Sequence, residues 1–275
     1  MKVKKAVIPA AGFGTRMLPI TSAVPKELLP VCGRPVIEYV VREAVEAGIE
    51  EVIIVLSEGK EAVADYFKSN KKLTDQLLKS GNHAELEKLE RIWDLAKITV
   101  VYQDEQNGLG HAVLCAKEAV GNQPFAVLLG DCILQTDECD SFTKQLTDSY
   151  HDTGVSVVGL EEVEQNEVSK YGIFEGQNLS GYLLKANRLI EKPSANETDS
   201  ALAFCARYVF EPAIFSLLEQ TKKGKNNEIQ LTDAMQQLVE TSGMNGLKLE
   251  GTRYDIGNPK GLLFANLSLT ECGEK

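Results

Sequence analysis

The sequence predicts an α/β protein with a Rossmann-like, doubly wound sheet that is mixed but mostly parallel. Segments patterned as strands alternate with segments patterned as helices along the chain, which is typical of parallel sheets connected by crossover helices. The continuous apolar runs at 51–56 and 124–129 are typical of buried parallel strands. Because the 275 residues contain no repeat, low-complexity tract or flexible linker, we expect a single domain over 1–275.

Composition and charge narrow the range of partners. Hydrophobic residues make up 43% and charged residues 25% of the chain, as in ordinary globular proteins. The net charge of −11 argues against nucleic acid as the main partner, since nucleic-acid phosphates require an extended basic face. No apolar run approaches a membrane span and no signal peptide precedes the first strand, so we expect a cytoplasmic protein without a membrane partner. Six cysteines without C-x-x-C spacing predict reduced, mostly buried thiols in place of a zinc site.

The order of the elements follows from the apolar periodicity. Strands are predicted at 6–9, 51–56, 98–102, 124–129, 155–160, 207–210 and 251–255. Helices are predicted at 34–48, 61–67, 111–120, 141–150, 212–219 and 229–240, with a short helix at the C-terminus. We expect a charged helical insertion at about 70–97, packed on the domain or on a partner subunit, and a small antiparallel β excursion at about 171–193.

The loop after the first strand has the residues of a triphosphate site. In VIPAAGFGTRMLPITSAVPKELLP, residues 7–30, small residues leave backbone N–H groups unshielded, so a phosphate chain can approach closely. Arg16 and Lys26 add positive charge, and three prolines prevent a long helix and hold the loop in an extended path. Met17 stands where the dinucleotide fingerprint G-x-G-x-x-G needs its third glycine, which excludes that motif. The loop therefore predicts a nucleoside triphosphate site.

Polar residues at the ends of later strands predict the rest of the site. Ligands of open α/β sheets bind outside the carboxyl ends of the strands, where we expect Gln103 with Gly108, Asp131 and Asp255. Two converging carboxylates suit Mg²⁺, which takes its other ligands from phosphates and water. Asp131 alone fits a helix cap or turn equally well, and Lys192, in the segment IEKP, fits a simple surface turn. The sequence offers no nucleophile–base pair, which phosphoryl transfer does not require.

Seven stretches together resemble a known family. They are, in chain order, AAGFGTRMLPITSAVPKELLPV, GLGHAVLCAK, FAVLLGDCIL, YGIF, IEKP, NEIQLTDAM and RYDIGNPKG. The chain resembles the bacterial UTP–glucose-1-phosphate uridylyltransferases, or UDP-glucose pyrophosphorylases, from residue 2 to residue 267. This resemblance implies the nucleotide-diphospho-sugar transferase type of sheet and the conversion of UTP and glucose 1-phosphate to UDP-glucose and pyrophosphate. It also implies Mg²⁺ and a homodimer or homotetramer.

The resemblance also implies a role for each residue that matches a family motif. The residues implied to hold the triphosphate are Ala10, Ala11, Gly12, Gly14 and Arg16, with Glu27 closing the signature. The residues implied to be catalytic are Arg16, Lys26 and Lys192, and of these the two lysines, with Mg²⁺, would offset the charge that develops during the reaction. Gln103 and Gly108 would contact the uracil, Asp131 and Asp255 would bind Mg²⁺, and the sugar phosphate would be held by Gly172, Glu191 and Lys192.

Three positions depart from the family pattern. Ala201 and Ala206 stand where the family commonly has asparagine and glycine, and Cys132 stands where many relatives have a second aspartate. Ala201 and Ala206 leave the identity of the sugar undecided, and Cys132 leaves the number of metal ions undecided. Two alternatives therefore remain: the same fold acting on dTTP or another hexose 1-phosphate, and a catalytically silent, nucleotide-binding regulatory homologue.

Overall fold

The protein is described by a computed structural model that covers residues 2–194 and 196–270. Its strands are β1 (Lys5–Pro9), β2 (Pro30–Val31), β3 (Arg34–Pro35), β4 (Glu51–Leu56), β5 (Lys97–Tyr102), β6 (Phe125–Leu128), β7 (Cys132–Thr136), β8 (Val157–Glu162), β9 (Gly172–Ser180), β10 (Leu183–Glu191), β11 (Leu202–Phe210), β12 (Asn245–Lys248) and β13 (Gly251–Asp255). Its α-helices are α1 (Val36–Glu46), α2 (Ala62–Asp65), α3 (Lys71–Ser80), α4 (His83–Trp93), α5 (Leu109–Cys115), α6 (Lys117–Val120), α7 (Phe142–Thr153), α8 (Ala213–Gln220), α9 (Leu231–Thr241) and α10 (Pro259–Thr270).

Nine strands form the main sheet, in the order β5-β4-β1-β6-β11-β8-β12-β10-β9. The strands β5, β4, β1 and β6 are mutually parallel, as their continuous apolar runs predict. The strand β11 is antiparallel to both β6 and β8, while β12 is parallel to β8 and antiparallel to β10. The predicted doubly wound, mixed sheet is therefore confirmed, but the expectation that it is mostly parallel is wrong. Among the described residues, four of its strand pairings are parallel and five are antiparallel, and three of the parallel ones lie in the N-terminal half.

Two apolar layers cover the opposite faces of the sheet. Alternate residues of β1 point to opposite sides, so that Val7 belongs to one layer while Ala6 and Ile8 belong to the other. The layer around Val7 contains the helices α5, α8 and α9, and the opposite layer contains α1, α2 and α7.

Among the described residues, no helix combines the length and the apolar composition needed to cross a bilayer.

A pair of helices, α3 and α4, occupies the region of the expected insertion. Asn70 caps α3, because its side chain accepts a hydrogen bond from the Leu73 N–H at 3.1 Å. Leu73 and Leu78 of α3 remain 37% and 48% exposed, whereas Leu86 of α4 is buried. The half-buried Ile92 of α4 packs against the layer that contains α1, α2 and α7, so the insertion packs on the rest of the chain through α4, while α3 leaves Leu73 and Leu78 open to solvent.

Two expectations about local structure are wrong. The loop between β1 and β2 is not an extended path: it coils into three short 3-10 turns at Thr15–Met17, Ile20–Ser22 and Lys26–Leu28, with a proline directly before the second and the third. The described cysteines are also not mostly buried. The buried ones are Cys132 and Cys205, Cys115 is half-buried, and the exposed ones are Cys32 and Cys139, while Cys272 lies outside the described residues.

A buried ion pair joins the second apolar layer to the sheet. The Arg207 guanidinium, on β11, is completely buried and contacts both carboxylate oxygens of Glu43 on α1, with Nη2 at 2.6 Å from Oε2. Thr143 at the start of α7 donates its hydroxyl to the same carboxylate at 2.5 Å. The guanidinium also donates to the carbonyl oxygens of Ala206 at 3.2 Å and Cys132 at 3.0 Å. Buried charges are tolerated where all their donors and acceptors are satisfied, as they are here.

We expect the substitution Glu43→Gln to lower the free energy of unfolding by about 3–5 kcal/mol, because it leaves the buried Arg207 charge without compensation. Urea denaturation followed by circular dichroism would measure the loss. A matched control is Glu87→Gln on α4, where the ion pair to Arg91 is 2.6 Å long but exposed, and which we expect to cost less than about 1 kcal/mol. Equal losses in the two variants would contradict this account of the buried pair.

Candidate functional site

Two neighbouring cavities open at the carboxyl end of β6, and the second of them also reaches the carboxyl ends of β1 and β5. The first has a volume of about 670 Å³ and the second about 270 Å³. The predicted site residues that line the first cavity are Arg16, Asp131, Gly172, Glu191, Lys192 and Asp255. Those that line the second are Ala10, Ala11, Gly12, Lys26, Glu27, Gln103, Gly108 and Asp131. Asp131 lines both, so it lies where the two cavities meet.

Asp131 follows β6 and is held by a lysine from the opening loop. Lys26 Nζ lies 2.6 Å from Asp131 Oδ2, and each side chain is only 17% exposed. Burial raises the pKa of Asp131, but the adjacent Lys26 ammonium, assisted by Arg16, outweighs burial and brings this pKa below its usual value. The carboxylate is therefore ionised at neutral pH, and the cap or turn interpretation does not explain its ion pair.

Asp255 reaches the same place by a route that sequence analysis did not predict. Its strand, β13, lies outside the main sheet and pairs antiparallel with β7, in a register that sets Asp255 opposite Cys132. The Ile256 N–H donates to the Asp131 carbonyl oxygen at 2.9 Å and locks the end of this ribbon to the turn after β6. The expectation that Asp255 ends a strand of the parallel sheet is therefore wrong, although its position beside Asp131 is as expected.

The two carboxylates converge around a glycine. A Cβ added to Gly257 would lie 2.8 Å from Asp131 Oδ2, 3.0 Å from Asp255 Oδ1 and 2.7 Å from Arg16 Nη2. Asp255 Oδ1 accepts the Gly257 N–H at 2.9 Å, and Asp255 Oδ2 lies 3.9 Å from Arg16 Nη1. Two aspartates at such spacing are the donor set that Mg²⁺ uses with phosphate oxygens and water. The described residues contain no cluster of three or more metal-ligating side chains.

The residues of the opening loop divide into two groups. Ala10, Ala11 and Gly12 line the second cavity, and a Cβ added to Gly12 would meet no atom within 4 Å. Gly14 lies away from both cavities: it has a φ of 67° and accepts the Thr21 hydroxyl on its carbonyl oxygen at 2.9 Å, so it turns the chain. Ala10, Ala11 and Gly12 thus form the side of the loop that faces the second cavity.

Gln103 and Gly108 form the far wall of the second cavity. Gln103 Nε2 donates to the Gly108 carbonyl oxygen at 3.2 Å and lies 3.0 Å from His111 Nδ1. Because both contacts use the amide nitrogen, Gln103 Oε1 remains available to accept a hydrogen bond from a base. Gly108 has a φ of 97°, and a Cβ there would come within 2.7 Å of Glu228 Cβ. Only glycine fits this position.

The opposite end of the first cavity carries the segment Glu191-Lys192. Lys192 has a φ of 46°, a strained conformation for a residue with a side chain, and its Nζ lies 3.1 Å from Glu191 Oε1. Thr232 donates its hydroxyl to Glu191 Oε2 at 2.6 Å. A Cβ on Gly172 would lie 2.4 Å from the Phe204 ring, so glycine is required beside the cavity wall. A simple surface turn would need none of these contacts.

The departures from the family pattern fall at different distances from the site. Ala206 lines the first cavity and has a φ of 69°, the left-handed conformation that favours glycine. Ala201 is not among the lining residues, and its carbonyl oxygen accepts the Val163 N–H at 3.0 Å. Of these two positions, only Ala206 can therefore change the shape of the cavity directly.

Sequence analysis missed the residues after β4. Ser57 and Lys60 both contact the back of the opening loop, and Thr232, on α9, supports Glu191. The signal was available, because Ser57-Glu58-Gly59-Lys60 directly follows a predicted buried strand, and ligands gather at the carboxyl ends of such strands.

Comparisons with known proteins agree with this arrangement. The family model for nucleotidyl transferases matches residues 5–271. The chain is 45% identical over 262 residues to a Staphylococcus epidermidis protein named UTP–glucose-1-phosphate uridylyltransferase, covering 95% of this chain and 90% of that protein.

Solved structures show the same likeness. A UDP-glucose pyrophosphorylase complexed with UDP-glucose superposes with a TM-score of 0.89 at 37% identity, covering 98% of this chain and 100% of that one. A UTP-bound UGPase from Acinetobacter baumannii superposes with a TM-score of 0.91 at 36% identity, covering 99% and 95%. The resemblance inferred from the sequence motifs is thereby confirmed, and the chain belongs to the nucleotidyl transferase family.

Proposed function

We propose that this protein transfers the uridylyl group of UTP to glucose 1-phosphate and so forms UDP-glucose and pyrophosphate. The observation that carries the proposal is that Asp131 joins two cavities of different character. One is lined by a phosphate-type loop and by Gln103, and the other by Glu191 and Lys192. The names of the relatives and the ligands of the structural neighbours support UTP for the first and glucose 1-phosphate for the second.

The proposed reaction is an in-line displacement at phosphorus. A phosphate oxygen of glucose 1-phosphate attacks the α-phosphorus of UTP and forms the new P–O bond. The bond from the α-phosphorus to the bridging oxygen breaks, and pyrophosphate leaves with that electron pair. Lys26 in the second cavity and Lys192 in the first would offset the charge on the reacting phosphates, and Arg16, which lines the first cavity beside Asp131 and Asp255, would add positive charge there.

We propose that Asp131 and Asp255 hold Mg²⁺ during this reaction. When bound there, the ion would supply positive charge to the phosphate oxygens. In the protein itself, the ribbon of β7 and β13 fixes the separation of the two aspartates, and Lys26 keeps Asp131 ionised. Glu191, oriented by Thr232, would accept hydrogen bonds from sugar hydroxyls beside Gly172.

A crossed substrate assay tests the proposal. Purified protein with Mg²⁺ should release pyrophosphate fastest from UTP with glucose 1-phosphate, when UTP and dTTP are crossed with glucose and galactose 1-phosphates. We expect Asp131→Asn to lower the rate about 100-fold or more, because an electrostatic contact to the transition state is lost, and chelation by EDTA to abolish it. The matched control is Asp152→Asn, at an aspartate 81% exposed on α7, which should leave the rate unchanged.

Each other outcome of that assay has a definite meaning. A preference for dTTP or galactose 1-phosphate would support nucleotidyl transfer as the reaction but contradict UTP and glucose 1-phosphate as its substrates. No pyrophosphate release with any pair would reject the enzyme and favour a nucleotide-binding regulatory homologue.

We expect the substitution Ala206→Gly to act on the sugar side alone. Removal of the methyl group enlarges the first cavity, so the KM for glucose 1-phosphate should fall while the KM for UTP stays constant. The substitution also relieves a left-handed alanine, so the free energy of unfolding should rise by up to about 1 kcal/mol. Steady-state kinetics and urea denaturation measure the two effects. An unchanged KM for glucose 1-phosphate would show that Ala206 does not contact the sugar.

We further propose that the protein is a cytoplasmic homodimer or homotetramer. On α10, three large apolar side chains are exposed: Leu263 by 62%, Phe264 by 53% and Leu267 by 63%. A contiguous apolar surface of this kind is typical of interfaces between subunits. The other face of α10 packs on β2 and β13, so the helix is firmly placed for such a contact.

Light scattering after gel filtration tests the assembly. We expect a dimer or tetramer for the wild type and a shift toward monomer for Leu263→Ser combined with Leu267→Ser, because both substitutions remove apolar area from α10. The control is Leu179→Ser, at a leucine 52% exposed on β9. A monomeric wild type at micromolar concentration would reject the proposed assembly.

A further inference from the structure

Three consecutive carbonyl groups at the start of the opening loop are bound from behind by one turn of the chain. Ser57 donates its hydroxyl to the Ala11 carbonyl oxygen at 2.9 Å. Lys60 Nζ donates to the Gly12 carbonyl oxygen at 2.9 Å and also to the carbonyl oxygen of Ala10. The two donors lie in the segment Ser57-Glu58-Gly59-Lys60, between β4 and α2. We call this arrangement the carbonyl clamp.

The third contact of Lys60 compensates its charge. Lys60 is 8% exposed, and its Nζ lies 2.8 Å from Oε2 of Glu27, which is itself 1% exposed. Burial lowers the pKa of Lys60, and the Glu27 carboxylate offsets part of that effect. The ammonium group thus donates hydrogen bonds to two backbone carbonyls of the opening loop and forms an ion pair with the Glu27 carboxylate of the same loop. Lys60 is not among the residues that line the first or second cavity.

Because the peptide bond is planar and trans, the carbonyl clamp also fixes the direction of the N–H groups on the other side of the loop. In each peptide unit the N–H points away from the C=O, so fixing a carbonyl fixes the next N–H in the opposite direction. The three carbonyls held from behind therefore orient the N–H groups of Ala11, Gly12 and Phe13 away from Ser57 and Lys60. Backbone N–H groups oriented together in this way form a concave site for an anion.

We propose that Lys60, together with Ser57, is a positioning residue that sets the backbone N–H groups of the opening loop for the triphosphate of the nucleotide without touching the nucleotide. The inference rests on the proposed function, since it assumes that a nucleoside triphosphate occupies the second cavity. The inference also assigns Glu27 a role other than contact with the ligand. Its carboxylate pairs with Lys60, and Lys60 in turn binds the carbonyl groups of the opening loop.

The clamp acts through preorganisation. A loop whose donors are already oriented loses less conformational entropy when the ligand binds, which strengthens binding without any new contact. An apolar side chain would fill the position of Lys60 with a smaller desolvation cost. An apolar side chain could not supply the hydrogen bonds that Lys60 donates to the buried carbonyl of Ala10 and the partly buried carbonyl of Gly12.

The test is the substitution Lys60→Met, which keeps the length of the side chain and removes its donors. We expect the Kd for UTP, measured by isothermal titration calorimetry with Mg²⁺, to rise about 10-fold or more as preorganisation is lost. The KM for glucose 1-phosphate should change less than about threefold, and inhibition by uridine should stay the same, because uridine lacks the phosphates that the N–H groups would bind. Lys60→Arg should recover part of the affinity for UTP.

A matched control and a milder variant keep the result interpretable. Lys68→Met replaces a lysine that is 61% exposed after α2 and should leave all three constants unchanged. Ser57→Ala removes one donor without leaving a buried charge, so it should fold even if Lys60→Met does not, and we expect a loss of UTP affinity of about threefold.

Several outcomes would overturn the inference. An unchanged Kd for UTP in a folded Lys60→Met protein, or in Ser57→Ala if that is the only folded variant, would reject the clamp. Equal losses for UTP, uridine and glucose 1-phosphate would show a general structural effect and would reject it as well. Failure of the proposed function looks different: a wild type that binds UTP without releasing pyrophosphate rejects the reaction and leaves the clamp testable by binding.

Discussion

The position of the site depends on the buried ion pair between Glu43 and Arg207. The two charges are removed from water, which is tolerated only because every polar atom around them is satisfied. The guanidinium binds the carbonyl oxygens of Cys132 and Ala206, one next to Asp131 and one in the wall of the first cavity. A single buried side chain therefore joins a helix of one apolar layer to two segments of the site and fixes those segments relative to that helix.

The charges around the cavities are arranged as pairs, which explains how a chain of net charge −11 can accept phosphates. Each cation that lines the two cavities has its own carboxylate, and the pairs are Arg16–Asp255, Lys26–Asp131, Lys170–Glu167, Lys192–Glu191 and Arg253–Glu161. Lys60, behind the opening loop, is paired with Glu27 in the same way. Because each pair is locally close to neutral, repulsion between the cations is small and their side chains are held in place before a ligand arrives. An anionic ligand meets these local cations at close range, while the more distant acidic surface is screened by salt.

Much of the fold was predictable because it depends on local pattern. The apolar run of β4 was predicted with the bounds that the structure has, since a strand buried on both faces needs apolar residues at every position. Asp131 and Gln103 were predicted because ligands gather at the carboxyl ends of strands: Asp131 follows the buried β6, and Gln103 follows the half-buried edge strand β5. By contrast, β12 lies between β8 and β10 through partners far away in the sequence. No local pattern specifies such a register, so the antiparallel half of the sheet was only partly predicted.

The route by which Asp255 reaches the site and the role of Lys60 were not predicted, each for its own physical reason. Asp255 reaches Asp131 through the pairing of two short, partly exposed strands, β7 and β13, and partly exposed strands lack the continuous apolar signal. Lys60 lies in a glycine-containing turn, where sequence analysis assigned it no role, and only its burial and its contacts to three loop groups indicate one. Residues that touch a ligand carry chemical signatures in the sequence. Residues that orient the ligand-binding backbone are recognised by the carbonyl groups they bind, and these contacts can be seen only in the three-dimensional structure.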